Sequence, residues 1–343
     1  MSNHELDAAG IDDPDLRAAF RTSGRILRRQ RRGEQHARYL FPAAKRPHLD
    51  ACWGVLAHLT DIADGFEHSP AVRALRLDEW QVAFSCALDG VPDLTETSSS
   101  TTDQRADTAL AEAFVHFLHT WKVPADSVPA FLAGQRRALW VEEFRTRAEL
   151  DDYLTAVALP PALWLNALLE TISPEADYLC SEAARAFRLI DFLWDIRADL
   201  DAGRLHLPEE SLRQFGIDRE RLHYEVGSGR ASKAVRRLMR YEIDCARNHL
   251  DIGSAWPDTL HATSRTFAQT EVRRRYRMLE HLERAECEFF ADPGMERKRL
   301  ALNTIGAALV AVTKAQVINH RNGRGRMLSL TCLSEAVRER GKR

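Results

Sequence analysis

The sequence predicts an all-α protein, and three observations carry that expectation. Ala, Leu, Arg and Glu are abundant while β-branched runs are nearly absent, a composition that favours helix. Apolar residues recur at three- and four-residue spacing across 49–62, 109–117, 176–200, 234–250 and 266–290, the repeat of one helix face. No alternating segments separated by hairpin turns interrupt this pattern, so no sheet is expected.

The connections follow in order. Residues 1–15 are polar and acidic, resemble neither a signal peptide nor a transit peptide, and are expected to be a loose end. The Ser-, Thr- and Asp-rich stretch 89–104 reads as a surface loop between helices. A tight Gly turn, a Leu-Pro pair and a short helix ending at Gly216 follow the helix of 176–200. The longest apolar stretch, 300–313, contains Asn303 and is too short to span a bilayer, so it reads as a core helix. The tail from Asn319 is basic and Gly-containing, and 321–343 are expected to fray. No fixed-period repeat and no shift in composition divides the chain, so 1–343 is taken as one domain.

Composition bounds the function. The 343 residues are enough to bury a sizeable core, and 45% hydrophobic with 29% charged residues is ordinary for a globular protein. A formal net charge of −2 supplies no global field to attract nucleic acid or an anionic membrane. Six scattered cysteines without a C-x-x-C pair read as reduced, mostly buried thiols of a cytoplasmic protein. His36, His58 and His206 lack ligand spacing, so zinc is not expected.

The most informative segment is 180–216. Asp191, Asp195 and Asp199 are spaced i, i+4, i+8, which places all three on one stripe of a helix. Phe192, Leu193, Trp194 and Ile196 between them are apolar. Three carboxylates in a row repel one another, and they stand near the helix C-terminus, the unfavourable end of the dipole. A cation among them relieves both penalties, and hard oxygen ligands suit Mg²⁺. The spacing alone leaves a solvated acidic face equally open.

The flanking residues decide between the two. The block resembles the second aspartate-rich helix of the squalene/phytoene synthase family, which reads A-F-Q-L-x-N-I-L-R-D-V-x-E-D-x-x-x-G-R-x-Y-L-P. Ala186, Phe187, Leu189, Leu193, Asp195, Asp199, Gly203, Arg204, Leu207 and Pro208 match in order without a gap. Residues 39–65 are similar to the family's first block, with Thr60-Asp61-Ile62-Ala63-Asp64 at its acidic motif. Residues 145–159 are similar to its middle helix, with Leu150, Tyr153, Val157 and Ala158 in register. The resemblance implies an isoprenoid synthase fold, a helical bundle around a central cavity. It implies Mg²⁺ held by Asp61, Asp64, Asp191, Asp195 and Asp199, which bridges the carboxylates to an allylic isoprenyl diphosphate. Metal and cationic side chains would then stabilise the leaving pyrophosphate.

Departures from the family pattern are equally specific. Thr60 stands for the leading Asp, Ala57 for a diphosphate-binding Arg, and Trp53 for a Tyr. In the second motif Arg188 replaces Gln, Asp191 replaces Asn, and Trp194 replaces an Arg. Leu159, followed by Pro160 and Pro161, replaces the Gly that kinks the middle helix, and Ala138 replaces an Asp before it. These changes weaken one diphosphate half-site and add aromatic faces, which stack on flat acceptors or on cations. The pattern resembles the squalene-synthase-like branch that transfers a dimethylallyl group to an aromatic, carbazole-type acceptor in bacterial secondary metabolism. Two alternatives stay open: head-to-head condensation or cyclisation of longer prenyl chains, and a non-catalytic assembly factor.

Other residues have competing readings. Arg188 pairs with Asp191 or contacts diphosphate. Tyr153 steers the cation or is a core Tyr. Lys45 and Arg46 bind diphosphate or face solvent, and Arg204, in the Gly-Arg of the motif, is assigned to substrate. The run 271–278 caps the site or is a charged helix face. The oligomeric state is not legible.

Overall fold

In the structure, a computed structural model, residues 1–30, 35–65, 67–91 and 102–285 are described, with 290, 311, 312, 315, 316, 318 and 319 nearer the C-terminus. The fold is all-α. The helices are α1 (Asn3–Ala8), α2 (Pro14–Gln30), α3 (Arg46–Asp64), α4 (Pro70–Asp89), α5 (Thr102–Trp121), α6 (Ser127–Ala138), α7 (Arg147–Val157) and α8 (Leu159–Leu168). They continue with α9 (Ala176–Asp201), α10 (Glu209–Gln214), α11 (Arg219–Ser228), α12 (Lys233–Gly253) and α13 (Ala262–Arg284). The helix expected over 176–200 is α9 to within a residue.

Local chemistry sets the boundaries. Side chains of Ser69, Thr146, Asp218 and Ser232 cap α4, α7, α11 and α12 by accepting from the first-turn N–H groups. Pro160 and Pro161 lack the N–H groups that a continuing helix needs, so α7 stops at Val157 and α8 starts beyond Ala158. Gly203 at φ 74° turns the chain out of α9 without a Cβ penalty.

One apolar cluster runs through the molecule. Phe114 and Phe131 each meet Trp164 with ring centroids 5.2 Å apart, so these rings join α5, α6 and α8. The long helix α9 lies against α8, α12 and α13. Gly253 ends α12 directly on α9: a Cβ there would stand 2.5 Å from the Ala183 nitrogen, so only Gly permits the approach.

Three features differ from the sequence reading. Glu143–Phe144 (β1) and Leu205–Pro208 (β2) form a short parallel pair with an irregular register. The segment leaving the Gly203 turn is extended and takes its hydrogen bonds from the connection before α7, with Leu205 N–H donating to Glu142 at 2.8 Å. Strands this short carry no alternating signal. The N-terminus is docked rather than loose. Ser2 and Glu5 form a capping box on α1, Leu6 and Ile11 are fully buried, and Glu5 accepts from Arg38 and Arg46. Helices also enter both ends of the expected loop, since Asp89 ends α4 and Thr102 starts α5. The remainder of that loop, most of the expected helix over 300–313, and the tail over 320–343 lie outside the described residues.

Among the described residues no helix is long and apolar enough to cross a membrane. Cys52 and Cys180 are buried, Cys86 and Cys245 half-buried, and all four are free thiols.

Candidate active site

The stripe expected on α9 is present. Asp191, Asp195 and Asp199 are half-buried, while Phe192, Leu193, Trp194 and Ile196 face the core. Asp61 and Asp64, one turn apart at the end of α3, are exposed. The two acidic helices are joined through one cation. An Arg204 nitrogen lies 3.5 Å from Asp64 and another 3.5 Å from Asp199. Asp199 is also bonded to the His206 Nδ1 at 2.9 Å. The Arg204 guanidinium offsets carboxylate charge at the wrong end of α9 for the helix dipole.

Further along the stripe, Asp191 pairs with Arg275 of α13, whose guanidinium also donates to the Phe187 carbonyl at 3.2 Å and lies over the Phe187 ring. Arg275 is 8% exposed while the Asp191 side chain is 35% exposed, so the guanidinium is enclosed and the carboxylate remains open to solvent. Arg188 therefore does not monopolise Asp191. Its guanidinium sits 4.9 Å over the Phe192 ring. Burial works against the Arg188 charge, but Tyr153, to which it hydrogen-bonds, and the carboxylates Asp191 and Asp64 outweigh burial and raise its pKa. That places Arg188 within the field of both acidic helices.

An aromatic wall adjoins these charges. Tyr153 packs 5.2 Å from Phe144 and 6.3 Å from Phe192, and the His206 ring lies flat on Phe192 at 4.1 Å and 2°. β2 holds His206 in place, and Leu205 and Leu207 on either side of it are buried.

The remaining candidates lie elsewhere. Trp194 is 5% exposed and its ring meets His281 of α13 at 5.4 Å, the setting of a packing residue. Trp53 is half-buried and faces Phe267 of α13 at 6.1 Å. Arg46 donates to the Phe41 carbonyl and to Glu5, within the N-terminal cluster that also contains Arg38 and Asp50. Burial there raises the Glu5 pKa, but hydrogen bonds from Arg38, the Ser2 N–H and Arg46 overcome it and bring it to about 2. Lys45, which the sequence left between diphosphate and solvent, is buried, with Glu170 at 2.6 Å and Ser264 at 2.8 Å.

Sequence reasoning missed Arg275 and His206 as members of the site. Arg275 belongs to the basic run 271–278, where spacing does not say which arginine turns inward. His206 occupies the Tyr position of the family pattern, and its lack of a His or Cys partner hid a bond to a carboxylate seven residues earlier.

Among the described residues no three carboxylate, His or Cys side chains converge closely enough to hold a metal by themselves. The donor set nonetheless fits Mg²⁺. It is all hard oxygen, guanidinium groups hold Asp64, Asp191 and Asp199, and Mg²⁺ takes one or two carboxylates and completes its shell with phosphate oxygens and water.

The family model described as squalene/phytoene synthase matches residues 27–304. A 15-cis-phytoene synthase of Synechocystis sp. is 28% identical over 224 residues, 62% of this chain and 61% of that protein. The bifunctional protein CrtB/UppS of Streptomyces coelicolor is 29% identical over 263 residues, 76% of this chain and 43% of its own length. The chain thus spans under two thirds of both relatives. Among solved structures, squalene synthase HpnC from Alicyclobacillus acidocaldarius superposes with a TM-score of 0.69 at 21% identity, over 81% of this chain and 98% of that one. A dehydrosqualene synthase gives 0.69 at 16% identity, over 88% and 96%. At these identities the superpositions speak for the fold.

Proposed function

The chain belongs to the squalene/phytoene synthase family, and on that premise we propose that it is a Mg²⁺-dependent prenyltransferase that ionises an allylic isoprenyl diphosphate between α3 and α9. One observation supports this reading above the others: Arg204 already spans Asp64 and Asp199. A group that holds two carboxylates of different helices stands where a diphosphate and its counter-ions belong.

Asp61 and Asp64 on one side, and Asp191, Asp195 and Asp199 on the other, would hold the metal. Bound there, Mg²⁺ supplies charge stabilisation for the leaving pyrophosphate. Arg204 and Arg188 offer N–H donors to the diphosphate oxygens, where negative charge grows as the C–O bond breaks. Phe144, Tyr153 and Phe192 form the apolar wall against which an allylic cation is kept from water, and aromatic faces stabilise such a cation.

For the acceptor, we favour an electron-rich, carbazole-type aromatic ring over a second prenyl diphosphate, with dimethylallyl diphosphate as donor. The support is the weakened half-site on α3, where the family's Arg and Asp are Ala57, 4% exposed, and Thr60. A small buried side chain supplies no cation for a second diphosphate. Trp53 and Trp194 contribute through packing, filling space that a long prenyl chain needs. The competing reading is head-to-head condensation of two long diphosphates. It is favoured by the relatives, several of which are named phytoene synthase.

The deciding experiment is incubation with Mg²⁺ and dimethylallyl, geranyl, farnesyl or geranylgeranyl diphosphate, with and without indoles and carbazoles, reading pyrophosphate and products. A prenylated aromatic supports the favoured acceptor. Hydrocarbon from two long diphosphates, with every aromatic ignored, establishes condensation. No pyrophosphate from any donor leaves the non-catalytic reading.

A further inference from the structure

Asp199 of the α9 stripe has a different partner on each carboxylate oxygen. Oδ1 faces Arg204 at 3.5 Å, and Oδ2 is bonded to the His206 Nδ1 at 2.9 Å. The first is a loose contact shared with Asp64; the second is a hydrogen bond of ordinary length. His206 has little freedom of its own. Its ring lies parallel to Phe192 with centroids 4.1 Å apart, and Phe192 is seven residues before Asp199, two turns away on the same helix. Its backbone belongs to β2, pinned by the Leu205 N–H to Glu142. The imidazole is thus clamped from below by α9 and from behind by β2, with both His206 and Asp199 side chains about 15% exposed.

We propose that His206 is a positioning residue that fixes the Asp199 carboxylate, leaving the Arg204-facing oxygen to receive Mg²⁺. This rests on the metal site of the preceding reading. The physical reason is entropic and geometric. A free carboxylate near a helix end rotates about χ2, and a metal that takes only one or two protein ligands depends on each being pre-set. Arg204 cannot do this, because it also holds Asp64 and is itself directed to the diphosphate. The hydrogen bond from a clamped imidazole fixes one oxygen whatever Arg204 does. Outer partners of this kind typically change metal affinity by roughly 10- to 100-fold.

The test uses the full chain and Mn²⁺ as probe. Bound Mn²⁺ is read from loss of the free-ion electron paramagnetic resonance signal in the presence of inorganic pyrophosphate, against a protein-free control. His206→Phe keeps the stack on Phe192 and removes the donor; it is expected to weaken Mn²⁺ binding by roughly 10- to 100-fold with the far-ultraviolet circular dichroism and Tm close to wild type. His206→Asn, whose amide nitrogen occupies nearly the Nδ1 position but lacks the stack on Phe192, is expected to recover part of the loss, which a purely structural role for the ring would not allow. Should His206→Phe fail to fold, Phe192→Leu carries the test, since it leaves the imidazole but unclamps it and is expected to weaken binding in the same direction. Wild-type affinity in His206→Phe, or in Phe192→Leu where that variant carries the test, overturns the proposal while leaving the metal site standing. Absence of any Mn²⁺ binding by the wild type overturns both.

Discussion

Asp64 at the end of α3 and Asp199 near the end of α9 share one guanidinium, with Arg204 3.5 Å from each. Asp64 is 54% exposed and Arg204 29%, so the bridge contributes little to stability; exposed pairs are typically worth under about 1 kcal/mol. Its value is placement. Arg204→Gln is expected to leave Tm nearly unchanged and to raise the KM for the diphosphate donor by about tenfold or more, the effect of losing a charge-assisted contact. A large Tm loss with normal kinetics would make Arg204 a structural residue.

Turnover should depend on the stripe unevenly. Asp195→Ala and Asp199→Ala are expected to lower it by orders of magnitude with little loss of fold, because removing one carboxylate also removes repulsion along the helix. Asp191→Asn should be milder, since Asn still accepts from Arg275 and is the family's usual residue there. Chelation with EDTA should abolish turnover in every case. Steady-state rates with and without metal check all three statements.

The position of α9, the Gly turn after it and the stripe of Asp191, Asp195 and Asp199 were legible because each leaves a signal within a few residues: a 3.6-residue repeat, a Gly past the helix end, a four-residue carboxylate spacing. Arg275 and His206 left none, since their partners Asp191 and Asp199 are fixed by the packing of α13 and by the path of β2. The misjudgement of the N-terminus has the same origin. Glu5 looked like one acid in a polar tail, but Arg38, which holds it, is thirty-three residues away. The role expected of Trp194 likewise turned on tertiary structure: its neighbour in sequence is Asp195, but its ring meets α13.

A stacked pair of histidines, His48 buried and His116 half-buried, should make stability fall in mild acid. His48 on α3 and His116 on α5 stack at 5.5 Å, edged by Phe20 and Trp121. Burial, then the neighbouring imidazole, push His48 well below its ordinary value of 6.5. Burial, then His119, bring His116 to about 4. Between about 6.5 and 4 the unfolded chain binds these protons and the folded chain does not, so stability declines as pH drops through that window and is unaffected by this pair above it. Tm measured from pH 7.5 to 4.5 is expected to fall below pH 6.5, with a shallower slope in His116→Leu. A flat profile would contradict a pair held neutral in the folded chain.

Close approach of α12 to α9 should be intolerant of a single methyl. Gly253→Ala places a Cβ 2.5 Å from the Ala183 nitrogen, and backbone cannot yield as a flexible side chain does. A loss of about 1–3 kcal/mol or more is expected from overpacking. Gly227→Ala, where a Cβ meets nothing within 4 Å, serves as the control and should be neutral or slightly stabilising. Chemical denaturation of the two variants separates these outcomes.

The central claim, ionisation of an allylic diphosphate between the two acidic helices, is tested most directly by Mg²⁺-dependent pyrophosphate release, compared between the wild type and Asp199→Ala. The account predicts release from at least one of dimethylallyl, geranyl, farnesyl and geranylgeranyl diphosphate with an acceptor present. That release should be lost in EDTA and reduced by orders of magnitude in Asp199→Ala. Release that persists unchanged in Asp199→Ala, or that needs no divalent metal, would contradict it.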